Sequence, residues 1–233
     1  MRRPWTESGS ILEFLATLLA LLASAASGAI LLAIAEGGYA PLNRLARVFL
    51  LPGIGVIALI TIFAWILHWK WLFGGITAGF WIGVFSTVGL EVVRIIGFRI
   101  FHSMPGDLPT LMGMLLTNRL MLGPDALSTF LGYADHFWNG GVFAIAFLLL
   151  FGRRSLWVAI GYGLLLGIGF LASPVPVATG IGEVGVESGP AFAITVLLAH
   201  LLFGIILGWL SRKFTRRSSI VGHVRRMNRN ETA

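Results

Sequence analysis

Four ionisable side chains lie in or beside long apolar runs: Glu91, Asp135, His136 and His200. Imidazoles and carboxylates ligate divalent metals, paired histidines on facing helices hold haem, and the same groups in series pass protons. The stretch DHFWNGG, residues 135 to 141, puts an acid and a histidine directly before the apolar run Val142 to Phe151. Three chemistries stay open. His136 and His200 are hydrogen-bonding groups between helices, or they bind a cofactor, or they relay a proton or ion. As a binding site they would take a haem, or a divalent metal with Glu91 and Asp135 completing the ligands. The plainest alternative for His136 is the polar start of a membrane helix.

The surroundings decide which elements position these groups. Of 233 residues, 57% are hydrophobic and 12% charged, and the mean hydropathy is +0.88. That charge content is about half of what a soluble domain carries, so the chain is an integral membrane protein. It has no cysteine, which removes disulfides, thiolate metal sites and thiol nucleophiles. Spans of about 20 apolar residues cross a bilayer as helices because each backbone group is satisfied within the segment. Six can be read: Ile11 to Ala35, Leu50 to Trp69, Trp71 to Val93, His136 to Phe151 with its start extending back towards Asp125, Leu156 to Ala172, and Pro190 to Leu210.

Ala23-Ser24-Ala25 resembles a signal-peptide cleavage site, but the apolar run around it is too long for a leader, so the first span reads as a retained anchor with Glu13 near the interface. Arg2, Arg3, Lys70, Arg153, Arg154 and the tail from Arg212 through Arg229 fall on one side of six spans, which makes that side the cytoplasm, with both termini there. At about 1.5 Å per helical residue, His136 and His200 sit roughly 25 and 18 Å from that side. Glu91 lies higher in span three, one turn before Arg94, a spacing at which the two charges neutralise each other near the outer interface.

Before the fourth span, Asp107 is placed to cap a short, mostly apolar helix within about 107–122 that lies on the outer membrane surface. Met104, Met112, Met114 and Met121 with His102 offer soft ligands for copper(I), although methionine is also a routine filler of apolar faces.

The chain also repeats a pattern. Span three carries Gly75, Gly79 and Gly83, passes through the proline turn SMPGDLP, and is followed by His136 and Gly140 four residues apart. Span five carries Gly163 and Gly167, passes through SPVPVATG, and is followed by His200, Gly204 and Gly208. Glycines at this spacing give a smooth stripe along which helix backbones approach closely. The expected fold is therefore all-α: a duplicated helical-hairpin four-helix bundle (71–213) after an anchoring helix pair (1–70), with a basic tail (214–233). His136 and His200 become equivalent positions.

From Gly75 to Lys213 the chain resembles the uncharacterised YagU-like bacterial inner-membrane proteins. Gly75, Gly79, Met104-Pro105, His136, Gly140, Pro174, His200, Gly204 and Gly208 carry the resemblance. It implies the four-span unit and no activity.

Other motifs fall away. GIGEVG, residues 180 to 185, has the spacing of a dinucleotide fingerprint but follows no strand, and reads as a flexible outer loop. His68 among Trp65, Trp69 and Trp71 reads as an interfacial aromatic belt. The tail arginines lack interleaved aromatics, so nucleic acid is not a partner. The bilayer is, together with other membrane subunits or further copies of the chain. The expected role is an accessory or scaffold subunit of a membrane complex that holds a cofactor or lipid. A small metal, ion or proton transporter is the alternative, and a membrane metalloenzyme comes third.

Overall fold

The computed structural model describes residues 11–215, so Arg2, Arg3 and the tail cations from Arg216 to Arg229 lie outside the described residues. Every regular element among the described residues is helical: α1 (Ile11–Ala26), α2 (Ile30–Glu36), α3 (Leu42–Leu45), α4 (Leu51–Ile66), α5 (Lys70–Arg99), α6 (Leu108–Leu116), α7 (Ala126–Phe151), α8 (Leu156–Leu171), α9 (Pro174–Ala178) and α10 (Pro190–Phe214). Six segments are long and apolar enough to cross a membrane: Ile11–Glu36, Leu42–Ile66, Lys70–Arg99, Ala126–Phe151, Leu156–Ala178 and Pro190–Phe214.

The boundaries that differ from the sequence reading have local causes. The first span breaks at Ser27 to Ala29, between α1 and α2. The break deprives the Ser27 carbonyl of an intrahelical donor, and the Trp138 indole of α7 supplies one at 2.9 Å. The second span starts at Leu42 rather than Leu50, with Arg44 and Arg47 on its exposed side. It widens into a π turn at Ala46–Leu50 just before Pro52, whose missing N–H and bulky ring disturb the preceding turn.

The fourth span begins at Ala126, ten residues before His136 by the numbering, so His136 is not the start of a membrane helix. Asp125 and Ser128 form a reciprocal cap there: the Asp125 carboxylate accepts from the Ser128 backbone N–H at 2.7 Å, and the Ser128 hydroxyl accepts from the Asp125 N–H at 2.9 Å. Those bonds hold the Asp125 carboxyl below the usual carboxylate range, and they place an anion at the helix's positive end. The turn SPVPVATG contains α9, with Pro174 at its first position and the Ser173 hydroxyl accepting from Val175 N–H. GIGEVG runs into a 3-10 turn, Glu183–Ser188, and a Cβ on Gly185 would strike the Phe192 ring.

Two antiparallel hairpins form the centre. In α5 a Cβ on Gly83 would fall on the Gly140 backbone of α7, one on Gly79 would meet Ile145, and one on Gly75 would meet the Leu149 side chain. In the second hairpin a Cβ on Gly163 of α8 would strike the backbone at His200 and Gly204 of α10, and one on Gly204 would strike Ala159 and Ile160. Both crossings are thus glycine on glycine, one turn beyond a histidine. The hairpins join through α5 against α10 and through an apolar cluster that includes Ala144, Phe147, Phe203 and Leu207. On the other flank, Ala20, Ala23, Ile57 and Ile60 of α1 and α4 share a cluster with Ile76, Val142 and Ile145. Glu13 is buried within this frame.

Helix α6 is shorter than the sequence suggested and is tucked against the first turns of α7. Cβ atoms on Gly113 or Gly132 would each fall on the other helix's backbone. Asp107 stands at the expected N-cap position of α6, but its carboxylate makes no backbone cap. It is occupied by side chains instead: the Thr110 hydroxyl at 2.5 Å, the Tyr133 hydroxyl at 3.2 Å and the Arg94 guanidinium at 3.4 Å.

Candidate functional site

A cavity of about 350 Å³ lies between the hairpins, and both histidines line it. Its walls are α5 (Thr87, Leu90, Arg94), α7 (His136, Asn139, Gly140, Phe143), α8 (Leu165, Leu166, Gly169, Phe170) and α10 (Val196, Ala199, His200, Phe203). The break in the first span contributes Ala29, Ile30 and Ala33, and Met104 and Met112 close the end nearest α6. Most of this surface is hydrocarbon. Three of the lining residues, Ile30 of α2 and Leu165 and Gly169 of α8, are themselves exposed on the surface of membrane spans.

The polar groups gather on one wall. Glu91 and Arg94 are 6% and 8% exposed, and they form the expected ion pair through one carboxylate oxygen. That same Oε1 lies 2.7 Å from His136 Nε2, at ion-pair distance but off the line of a regular N–H···O bond. Arg94 reaches Asp107 with its other terminal nitrogen. Two carboxylates therefore face one guanidinium, and the group reaches neutrality only with a further proton. Glu91 Oε2 and Arg94 Nε are buried and find no partner in the protein.

His200 is held differently. Its Nδ1 lies 2.8 Å from the Val196 carbonyl, which can only accept, so Nδ1 carries a proton and Nε2 of the neutral ring keeps a lone pair. The ring lies over Gly167, where any Cβ would touch it. Asn139 is 5% exposed; its amide donates to Asp135 at 3.2 Å, while its Oδ1 is buried without a partner in the protein.

Of the four residues the sequence singled out, the fold brings Glu91, His136 and His200 to the cavity and its wall, and Asp135 orients Asn139 rather than an imidazole. Among the described residues no three of His, Asp and Glu converge as metal ligands. The methionines separate as well: Met104 and Met112 are buried beside the cavity, whereas Met121 is 96% exposed and His102 is at the surface. Sequence reasoning missed Asn139 and the side-chain role of Asp107. The four-residue spacing of Asp135 and Asn139 was the available signal for the first; nothing local marked the second, since Arg94 and Tyr133 reach Asp107 from other helices. No protein-family model matches the chain, and neither a curated protein nor a solved structure is significantly similar to it.

Proposed function

We propose that this polytopic membrane protein is a non-catalytic accessory subunit of a bacterial cytoplasmic-membrane complex and holds a lipophilic molecule between its two hairpins. The observation that carries the reading is the apolar cavity between the hairpins, whose lining includes the polar residues Arg94, His136, Asn139 and His200. Ligand sites have this composition: mostly hydrocarbon, with a few convergent polar groups that fix orientation. The subunit role draws on α8, whose span is only 22% buried within the protein. A partner helix or a second copy of the chain would pack closely there. Kinship with the YagU-like proteins and a common origin of the two hairpins belong to the same proposal, supported by the matched glycine crossings.

Purification in mild detergent followed by solvent extraction and mass spectrometry tests the central claim. A lipophile near one per chain is expected, and Ala33→Trp, which fills the cavity from α2, should lose it. Equal lipid content in both proteins would overturn the reading. Co-purified subunits or a stable homo-oligomer are expected in the same preparation.

The orientation is also a proposal. The antiparallel hairpins put Lys70, Arg153, Arg154, Arg212 and Lys213 at one end of the bundle, which the charge bias assigns to the cytoplasm. Without native cysteines, single introduced ones can be labelled cleanly. In whole cells Glu187→Cys should react with an impermeant maleimide and Ser155→Cys should not; the reverse pattern refutes the orientation.

A further inference from the structure

We infer that Glu91, Arg94, Asp107 and His136 form a proton-binding site, in which His136 is an imidazolium paired with the Glu91 carboxylate. The inference goes beyond the lipophile-binding reading and does not depend on what the cavity holds. Charge carries it first. Glu91 and Asp107 bring two negative charges to a single guanidinium, and Glu91 and Arg94 are 6% and 8% exposed. An incompletely paired charge at that depth is costly, so the cluster favours a further cation. Glu91 Oε2 is buried and accepts from no donor in the protein, which leaves this acid dependent on what stands at Oε1. Arg94 stands there, and so does His136, with Nε2 at 2.7 Å and its side chain 16% exposed.

The geometry of that contact separates an imidazolium from a neutral ring. Nε2 and Oε1 are at ion-pair distance but off the line of a regular N–H···O bond. A neutral donor loses much of its attraction when misaligned, whereas opposite charges attract by distance alone. A proton also needs no added space, since the atoms that hold it are already in place. A metal ion fits worse, because Arg94 occupies the same carboxylate oxygen and no three of His, Asp and Glu among the described residues converge. The other ionisable groups nearby are engaged. His200 of α10 donates to the Val196 carbonyl, Asp135 accepts from Asn139, and the Tyr133 hydroxyl donates to Asp107. The break after α1, α2 and α8 bring no ionisable side chain to the cavity lining, and Glu13 lies at the far end of α1 from the break. Asp107 falls outside the six membrane-spanning segments and its side chain is 30% exposed, so the site exchanges its proton with water at the α6 end.

The test is nitrogen NMR of the full chain in lipid nanodiscs, with isotope-labelled histidine, at about pH 7.5, where an unpaired imidazole is mostly neutral. The signals missing from His136→Gln identify His136. In the wild-type chain His136 should carry a hydrogen on both ring nitrogens, and in Glu91→Gln it should lose one of the two at the same pH. His200 should keep a single hydrogen, on Nδ1, in both proteins, which reports that the variant has folded. A single hydrogen on wild-type His136 overturns the inference whatever the variants do. So does a His136 that keeps both hydrogens in folded Glu91→Gln, because its charge would not then come from that carboxylate. If Glu91→Gln does not fold, Asp107→Asn takes its place: the share of charged His136 should fall, and an unchanged share overturns the four-residue site. No lipophile enters these measurements, so the failure of either proposal leaves the other standing.

Discussion

Arg94→Leu is expected to destabilise the bundle by about 3–5 kcal/mol, the cost of breaking a buried charge pair by removing one partner. The substitution leaves Glu91, 6% exposed, with no countercharge beyond His136, and takes from Asp107 its link to α5. Combining it with Glu91→Leu should restore a good part of the loss, because the uncompensated carboxylate goes with its partner, while Asp107 keeps the hydroxyls of Thr110 and Tyr133. Denaturant titration of the purified protein in detergent measures both variants. A double variant no more stable than Arg94→Leu alone would show that the pair is not coupled. The cluster joins α5, α6 and α7, so its loss should also loosen the end of the cavity lined by Met104 and Met112.

The spans were readable because hydrocarbon selects on composition and length alone, a demand that each segment meets by itself. Their ends were less so. The start of α7 was read towards Asp125 and lies there, where Asp125 and Ser128 cap each other, whereas the second span starts at Leu42, ahead of the Leu50 that its apolar run suggests. The glycine pattern was legible for a physical reason: a residue without a side chain inside a membrane helix marks a surface that something approaches. Which helix approaches is a three-dimensional matter, although the order of the glycines along an antiparallel pair already restricts it.

The site was legible only in part. His136 and His200 stood out because imidazoles are rare in hydrocarbon, and the repeat suggested that they share a space. Their partners depended on the crossings. Glu91 meets His136 because α5 and α7 pack backbone to backbone at Gly83 and Gly140, and Asp107 meets Arg94 because α6 folds back against α7 at Gly113 and Gly132. The cavity was not legible at all. Part of its wall comes from the break after α1 and from α2, and the Trp138 bond at that break joins residues 111 positions apart.

Gly163→Leu is expected to lower stability while Gly161→Leu, two positions earlier on the same helix, leaves it unchanged or raises it. Leucine is a better helix former than glycine by up to about 1 kcal/mol, so an exposed helical glycine gains from the exchange. Gly161 is such a position: it is exposed and has no neighbour within 4 Å. At Gly163 the new side chain would occupy the space of the α10 backbone at His200 and Gly204. Overpacking against side chains typically costs about 1–3 kcal/mol, and a rigid backbone yields less readily, so the loss should reach the upper end of that range. Gly83→Leu should behave like Gly163→Leu, since its obstacle is the Gly140 backbone. Gly180 would be a poor control, because its φ of +77° penalises any side chain whatever the space. Thermal unfolding in detergent distinguishes the outcomes by sign. Equal behaviour of Gly161→Leu and Gly163→Leu would mean that the glycine face of α8 is not what holds the second hairpin together, and the matched crossings would lose their structural meaning.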